Sequence, residues 1–208
     1  MPYAVRLTIF IVCACFLAAF FFCLFFYKPI KRSAARKNPA KLFYRNVAKI
    51  VRDGDYYLIN ELEIEDGDYF LHIDHLIGGD KYIYVITDLF CQGGISLDPH
   101  DASWLLYEKH GKRMIDNPLL LNQATVEKLS MRAGIDSSFL VGIVVVNNDC
   151  FISHYQNEGS SSLLLPLSKL AEVVESHEKR DVQPFVTSEL WQIIHDMHGL
   201  YKNNEKQS

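Results

Sequence analysis

A run of 21 residues without a charge, Leu7 to Tyr27, constrains this chain more than any other feature. It is rich in Phe, Leu, Ile, Val, Ala and Cys, and a helix of that length crosses the hydrocarbon core of a bilayer. A cleavable signal peptide is the rival reading, but the run exceeds the usual apolar region of a signal and basic residues, Lys28, Lys31 and Arg32, follow it directly. Cys13, Cys15 and Cys23 sit inside the run, which argues against a lipid-modified cysteine after it. The expectation is an uncleaved anchor over residues 1–28.

The flanks of the run set its orientation. Lys28, Lys31, Arg32, Arg36, Lys37, Lys41 and Arg45 follow it, whereas only Arg6 and the amino terminus precede it. The positive-inside tendency therefore predicts a single-pass protein of the cell membrane with its C-terminal domain in the cytoplasm. Residues 29–41 read as a basic juxtamembrane linker, drawn to anionic headgroups by about 1 kcal/mol per basic residue close to the surface. Beyond the run only Cys91 and Cys150 remain, which gives neither a disulfide framework nor a zinc knuckle and agrees with a reducing compartment.

The formal net charge of −4 conceals an asymmetry. Residues 1–45 hold eight Lys and Arg and no acid, so residues 46–208 hold the other 13 bases against all 25 acids, a net of −12. Phosphate neutralisation supplies most non-specific nucleic-acid affinity, so a domain of this sign is expected to bind nucleic acid weakly at best.

Apolar residues at helical spacing, Leu42, Phe43, Val47, Ile50 and Val51, predict a first helix ending near Asp53-Gly54. Tyr56 to Ile64 and Tyr69 to Ile77 flank the turn Glu65-Asp66-Gly67-Asp68 as a hairpin, and Tyr82 to Leu89 follows as a third strand, completing a meander. Gln92-Gly93-Gly94-Ile95 opens an irregular piece in which Trp104 to Tyr107 and Arg113 to Ile115 can pair. Asp116 or Asn117 can cap a helix with Pro118 in its first turn and a stop near Gly134. Val141 to Val146 reads as a strand buried on both faces. A short strand at Leu163 to Leu165, a helix over Pro166 to Ser176 and a C-terminal helix from Thr187 to Leu200 complete the order. The boundaries expected are 42–178 for an α/β domain and 179–208 for a C-terminal helix and polar tail. A meander extended by a strand delivered through a helical crossover makes an α/β sandwich.

Two acids stand out, Asp74 in Ile73-Asp74-His75-Leu76 and Asp88 in Thr87-Asp88-Leu89-Phe90, fourteen residues later. Adjacent strands lie about 4.8 Å apart, and carboxylate oxygen is the ligand Mg²⁺ and Mn²⁺ prefer, so the pair can share one divalent ion. Regular alternation puts Phe70, His72, Asp74 and Leu76 on one face of the second strand and Tyr84, Ile86, Asp88 and Phe90 on one face of the third. By the same rule His72 and His75 face opposite ways and cannot clamp one metal. Many metal-dependent nucleases place a lysine two residues after the second acid, and here that position is Phe90. Lys81, seven residues before Asp88, lies roughly 23 Å away along an extended strand and cannot substitute. Gln92 shares the parity of Asp88 and can orient a water, without a charge, and Glu61 or Glu63 can add a carboxylate.

Asn60 to Ile152, about 93 residues, resembles the nuclease-related domain family, NERD. The resemblance rests on Ile73-Asp74-His75, Asp88 with Gly94-Ile95 after it, the isolated Trp104, Asn117-Pro118 with Gln123 in the helix, and the Val141 to Val146 strand. It implies a restriction-endonuclease-like fold and a phosphodiester-cleaving site in which Asp74 is the first acid and Asp88 the second, with Mg²⁺ or Mn²⁺ as cofactor. The chain departs from the family's pattern at Phe90, at a first helix without an acid between Ala40 and Arg52, where Asn46 is the nearest polar candidate, and in the spacing of Gln123. The expected function is a membrane-anchored binding or scaffold module with a degenerate nuclease site. The alternative is an active Mg²⁺-dependent nuclease in DNA or RNA processing, with Asp74 and Asp88 as metal ligands and Gln92 in place of lysine. His195 and His198, three apart near the C terminus, read as a solvated helix face.

Overall fold

The computed structural model describes residues 10–22, 37–66, 69–98, 100–108, 111–152, 162–186 and 188–196. Contacts divide the chain into two units, residues 1–42 and 43–208. In the first, residues 10–22 are helical and expose Phe10, Phe16 and Phe20. Among the described residues no helix is long and apolar enough to cross a membrane. The apolar run Leu7 to Tyr27 extends past this segment at both ends, and those ends, with linker residues 29–36, lie outside the described residues.

Helix α1 (Pro39–Gly54) starts on a proline, whose fixed φ suits a first turn, while the Asn38 Oδ1 accepts the Lys41 amide at 3.0 Å. Its buried positions, Phe43 and Val47, are one turn apart. Asp55 turns the chain out of the helix with a left-handed φ of 55°. The meander follows as expected, with β1 (Tyr57–Asp66), β2 (Tyr69–Gly78) and β3 (Ile83–Leu89) antiparallel in sequence. Residues 67–68 of the first turn lie outside the described residues.

A small second sheet follows, of which the sequence predicts one pair of strands. After β3 the chain forms β4 (Gly94–Ser96), β5 (Ser103–Glu108) and β6 (Gly111–Asp116), the last two pairing Trp104 with Ile115 as expected. Helix α2 (Pro118–Ala133) then crosses to β7 (Leu140–Val146), which lies parallel to β3. Its N-cap is Asn117, whose Oδ1 accepts the amides of Leu119 (2.9 Å) and Leu120 (3.4 Å), a contact of about 1 kcal/mol. Gly134 ends it at φ 65°, a conformation glycine adopts without penalty. Beyond β7 come the two-residue β8 (Phe151–Ile152), β9 (Ser162–Pro166) and α3 (Leu170–Glu178). Residues 188–196 are helical, while the polar tail 197–208, with His198, lies outside the described residues.

Among the described residues the strands make a mixed five-stranded sheet, β1-β2-β3-β7-β9, and a four-stranded one, β6-β5-β4-β8. Val85 of β3 belongs to a core cluster with Ile73, Leu76, Val126, Leu129, Leu190 and Ile194, so α2 and the 188–196 helix cover one face of the large sheet. Tyr84 projects the other way, and its hydroxyl donates to Glu178 Oε1 (2.6 Å) on α3. Burial, followed by that hydrogen bond, pushes the Tyr84 phenol far above its ordinary value. A second cluster, with Cys91, Ile95, Trp104, Leu106, Leu119, Val144, Val146 and Leu164, welds the small sheet to β7, β9 and the start of α2. Trp104 is therefore a core residue, 1% exposed, with its indole N–H donating to the Asp98 carbonyl at 2.9 Å.

Candidate metal-binding site on the meander

β1 and β2 do not alternate strictly, and the irregularity builds the site. Ile59 and Leu62 are three residues apart, as are Ile73 and Leu76, yet all four pack into one core cluster. Strict period-two alternation would send one of each pair to the opposite face. Glu61 resolves the conflict with a φ of 50°, a left-handed conformation uncommon for a non-glycine residue. The register runs Asn60 to His75 and Leu62 to Ile73, so Glu61 lies level with Asp74. At this level two consecutive residues on each strand, Asn60-Glu61 and Asp74-His75, turn away from the cluster. Uniform parity along β2 was the expectation; the kink at Glu61 corrects it, because Leu76 packs with Ile73 instead of sharing the face of Asp74.

Asp74, His75 and Asp88 meet where the β2–β3 ladder stops, after the His75–Ile86 pair. The Asp88 amide donates to Asp74 Oδ2 at 2.8 Å, and His75 Nε2 meets Asp88 Oδ2 at 3.1 Å. His75 is 2% exposed and its Nδ1 lies 2.7 Å from Asn60 Oδ1. A ring donating from both nitrogens is cationic; a half-turn of the Asn60 amide lets Nδ1 accept instead. Asp88 Oδ1 is buried and has no hydrogen-bond partner among the described residues. Burial pushes the Asp88 carboxyl above its usual range, His75 beside it pulls the other way, and the charges of Asp74 and Glu61 add to the rise. A buried carboxylate oxygen without a donor, in the field of the Asp74 and Glu61 charges, is a hard oxygen of the kind a divalent cation prefers, although Asp88 is not one of the three residues whose ligand atoms converge.

A second histidine stands at the rim. His72 Nε2 lies 3.2 Å from Asp74 Oδ1 and 3.7 Å from Glu61 Oε2, while its Nδ1 lies 3.5 Å from Glu63 Oε1. Glu61, His72 and Asp74 each offer one ligand atom, all within 4.8 Å of one another. His72 and His75 engage different carboxylates, so the two rings divide the site between them.

Other expected site residues are placed as follows. Gln92 is exposed in the bend after Cys91, and Phe90 is half-buried. The Lys81 amine donates to the Arg180 carbonyl at 2.6 Å and its amide to Glu178 at 2.9 Å, which fixes it at the opposite end of β3 from Asp88. On α2 the inward residue is Asn122 rather than Gln123. The Asn122 amide donates to the Val85 carbonyl (3.1 Å) and Thr87 Oγ1 (3.0 Å) and accepts from Ser162 Oγ (2.9 Å), whereas Gln123 donates to Glu127 Oε1 (3.1 Å) on the surface. Sequence reasoning missed Asn60, the Glu61 backbone, the use of His72, and Asn122. The signal for the first three was present, since Ile59/Leu62 and Ile73/Leu76 both space their apolar residues by three at one level of the hairpin.

The domain is of the mixed-sheet α/β class, and its meander gathers Glu61, His72 and Asp74, whose ligand atoms lie close enough to hold a metal ion. Within that class the chain belongs to the nuclease-related domain family, NERD, whose match spans residues 37–147, more than half of the chain. Two solved structures are similar to it. One is a protein of unknown function, AF1548, at 9% identity, covering 75% of this chain and 78% of that one with a TM-score of 0.36. The other is the small subunit of the heterodimeric restriction endonuclease R.BspD6I, at 12% identity, covering 83% and 86% with a TM-score of 0.36. Both likenesses are distant, and the assignment rests on the family match. No curated protein matches the chain.

Proposed function

We propose that this chain is a single-pass, membrane-anchored NERD protein whose restriction-endonuclease-like domain faces the cytoplasm and whose nuclease-derived site binds a divalent ion without cleaving phosphodiesters, so that it serves as a binding or scaffold module. The observation that carries the reading is the set of basic groups at the site. Among the described residues the ion pairs to Glu61, Glu63, Asp74 and Asp88 come from His72 and His75 alone, and no Lys or Arg joins them. Phosphoryl cleavage needs positive charge aimed at the oxygens where negative charge develops. His75 is buried between Asn60 and Asp88, where it can hold the Asp88 carboxylate but cannot meet a substrate. A divalent ion on Asp74 and Asp88 would supply Lewis acidity and an activated water.

The anchor rests on the uncharged run from Leu7 to Tyr27, and the orientation on the basic residues after it. A domain of net −12 supports a protein partner over a nucleic acid. The second reading, an active nuclease using Asp74, Asp88 and Gln92, is favoured by Asp88 Oδ1, which has no hydrogen-bond partner among the described residues. The test is cleavage of single- and double-stranded DNA and RNA by the full-length chain in detergent with Mg²⁺ or Mn²⁺. No turnover is expected; turnover that Asp74→Ala abolishes would replace the scaffold reading with the nuclease one.

A further inference from the structure

The geometry points to a nitrogen-containing metal site, Glu61, His72 and Asp74, that takes a late first-row transition-metal ion of the zinc type in preference to Mg²⁺. The inference rests on the reading above that this cluster is a cation site, and adds the ligands and the ion. Zinc bonds to imidazole nitrogen and carboxylate oxygen run about 2.0–2.2 Å, so neighbouring ligand atoms on a tetrahedral ion stand about 3.4 Å apart. His72 Nε2 lies 3.2 Å from Asp74 Oδ1 and 3.7 Å from Glu61 Oε2, within a few tenths of an ångström of that spacing. All three ligand atoms lie within 4.8 Å of one another, close enough to converge on one ion.

The other ring nitrogen strengthens the assignment. A metal-bound imidazole donates its second N–H to a carboxylate or carbonyl, which fixes the tautomer and the ring plane. His72 Nδ1 faces Glu63 Oε1 at 3.5 Å, and Glu63 is the direct cross-strand partner of His72 in the β1–β2 ladder. The left-handed Glu61 carries its carboxylate to the level of Asp74, so the ligand on β1 and the ligands on β2 converge from two strands. Three carboxylates therefore surround one imidazole, a charge balance that a divalent cation neutralises. Mg²⁺ dehydrates reluctantly and prefers oxygen, whereas an imidazole with two carboxylates suits ions later in the first transition row.

His72 and Glu63 are both well exposed, with side chains 38% and 54% accessible, so their substitution leaves the core intact. The experiment is a titration of the full-length chain in detergent with ZnCl₂, MnCl₂ and MgCl₂, followed calorimetrically, with thermal melts of the metal-free variants as a folding control. The expected result is one Zn²⁺ site at least about 10-fold tighter than Mg²⁺. Glu63→Gln weakens Zn²⁺ by about 10- to 100-fold while leaving Mg²⁺ unchanged, and His72→Ala weakens it at least as much. Zn²⁺ affinity untouched by His72→Ala but lost in Asp74→Ala would overturn the proposal in favour of a carboxylate-only site on Asp74 and Asp88. Failure of all three ions to bind would overturn it too. Cleavage activity, measured on the same preparation, bears only on the scaffold reading, so the two ideas fail separately.

Discussion

Asp88 carries an electrostatic cost that its surroundings only partly relieve. Burial raises its pKa above the ordinary value of 3.8, and His75 offsets only part of that rise. The sign of the consequence follows from linkage. As pH rises past 3.8 the unfolded chain releases this proton first, so the native state is progressively penalised until it ionises as well. Asp88→Asn keeps the shape and removes the titration. In chelator-treated protein its melting temperature, relative to wild type, is expected to improve as pH goes from 4 to 7; a difference constant with pH would contradict the direction of the shift. Cys150 gives a second expectation at this scale. Burial, then the neighbouring Cys91, push its thiol well above the ordinary range, so iodoacetamide at pH 8 should modify it far more slowly in the native chain than after unfolding.

At the scale of elements, the contact between α2 and the large sheet depends on one missing side chain. A Cβ on Gly142 of β7 would run into Asn122 Oδ1 and Ser162 Oγ, the atoms whose hydrogen bond joins α2 to β9. Gly142→Ala is expected to cost about 1–3 kcal/mol in denaturant titration, as overpacking does. Gly111 is the control, because a Cβ added there would meet nothing within 4 Å, and its substitution should stay within about 0.5 kcal/mol. Equal effects at the two sites would refute the packing argument. The elements that were legible in the sequence are those written locally: the Asn117-Pro118 cap, the Gly134 stop, the meander strands and the apolar β7. β4 and β8, of three and two residues, were not, because the Gly94–Phe151 and Ile95–Ile152 pairings that define them join segments some 57 residues apart. The choice of Asn122 over Gln123 was equally hidden, since it depends on the rotation of α2 against the sheet. Asp74 and Asp88 were legible as a pair, but the departure from alternation by which Asp74 and His75 both reach Asp88, and the left-handed Glu61 level with Asp74, were expected as ordinary strand.

For the whole molecule, charge separates the two ends of the chain. Residues 1–45 are wholly basic among their charges, and the remainder carries −12. Binding of the full-length chain to DNA or RNA in detergent at 0.15 M salt is expected to be weaker than about 1 µM, and filter binding or anisotropy would expose tighter association. Membrane fractionation with alkaline extraction tests the anchor, which should keep the chain in the pellet. The most direct test of the central claim combines metal titration and nuclease assay on one preparation, wild type against Asp74→Ala. The account predicts that wild type binds a divalent ion, that Asp74→Ala loses it, and that neither cleaves DNA or RNA; cleavage by wild type that disappears in Asp74→Ala would contradict it.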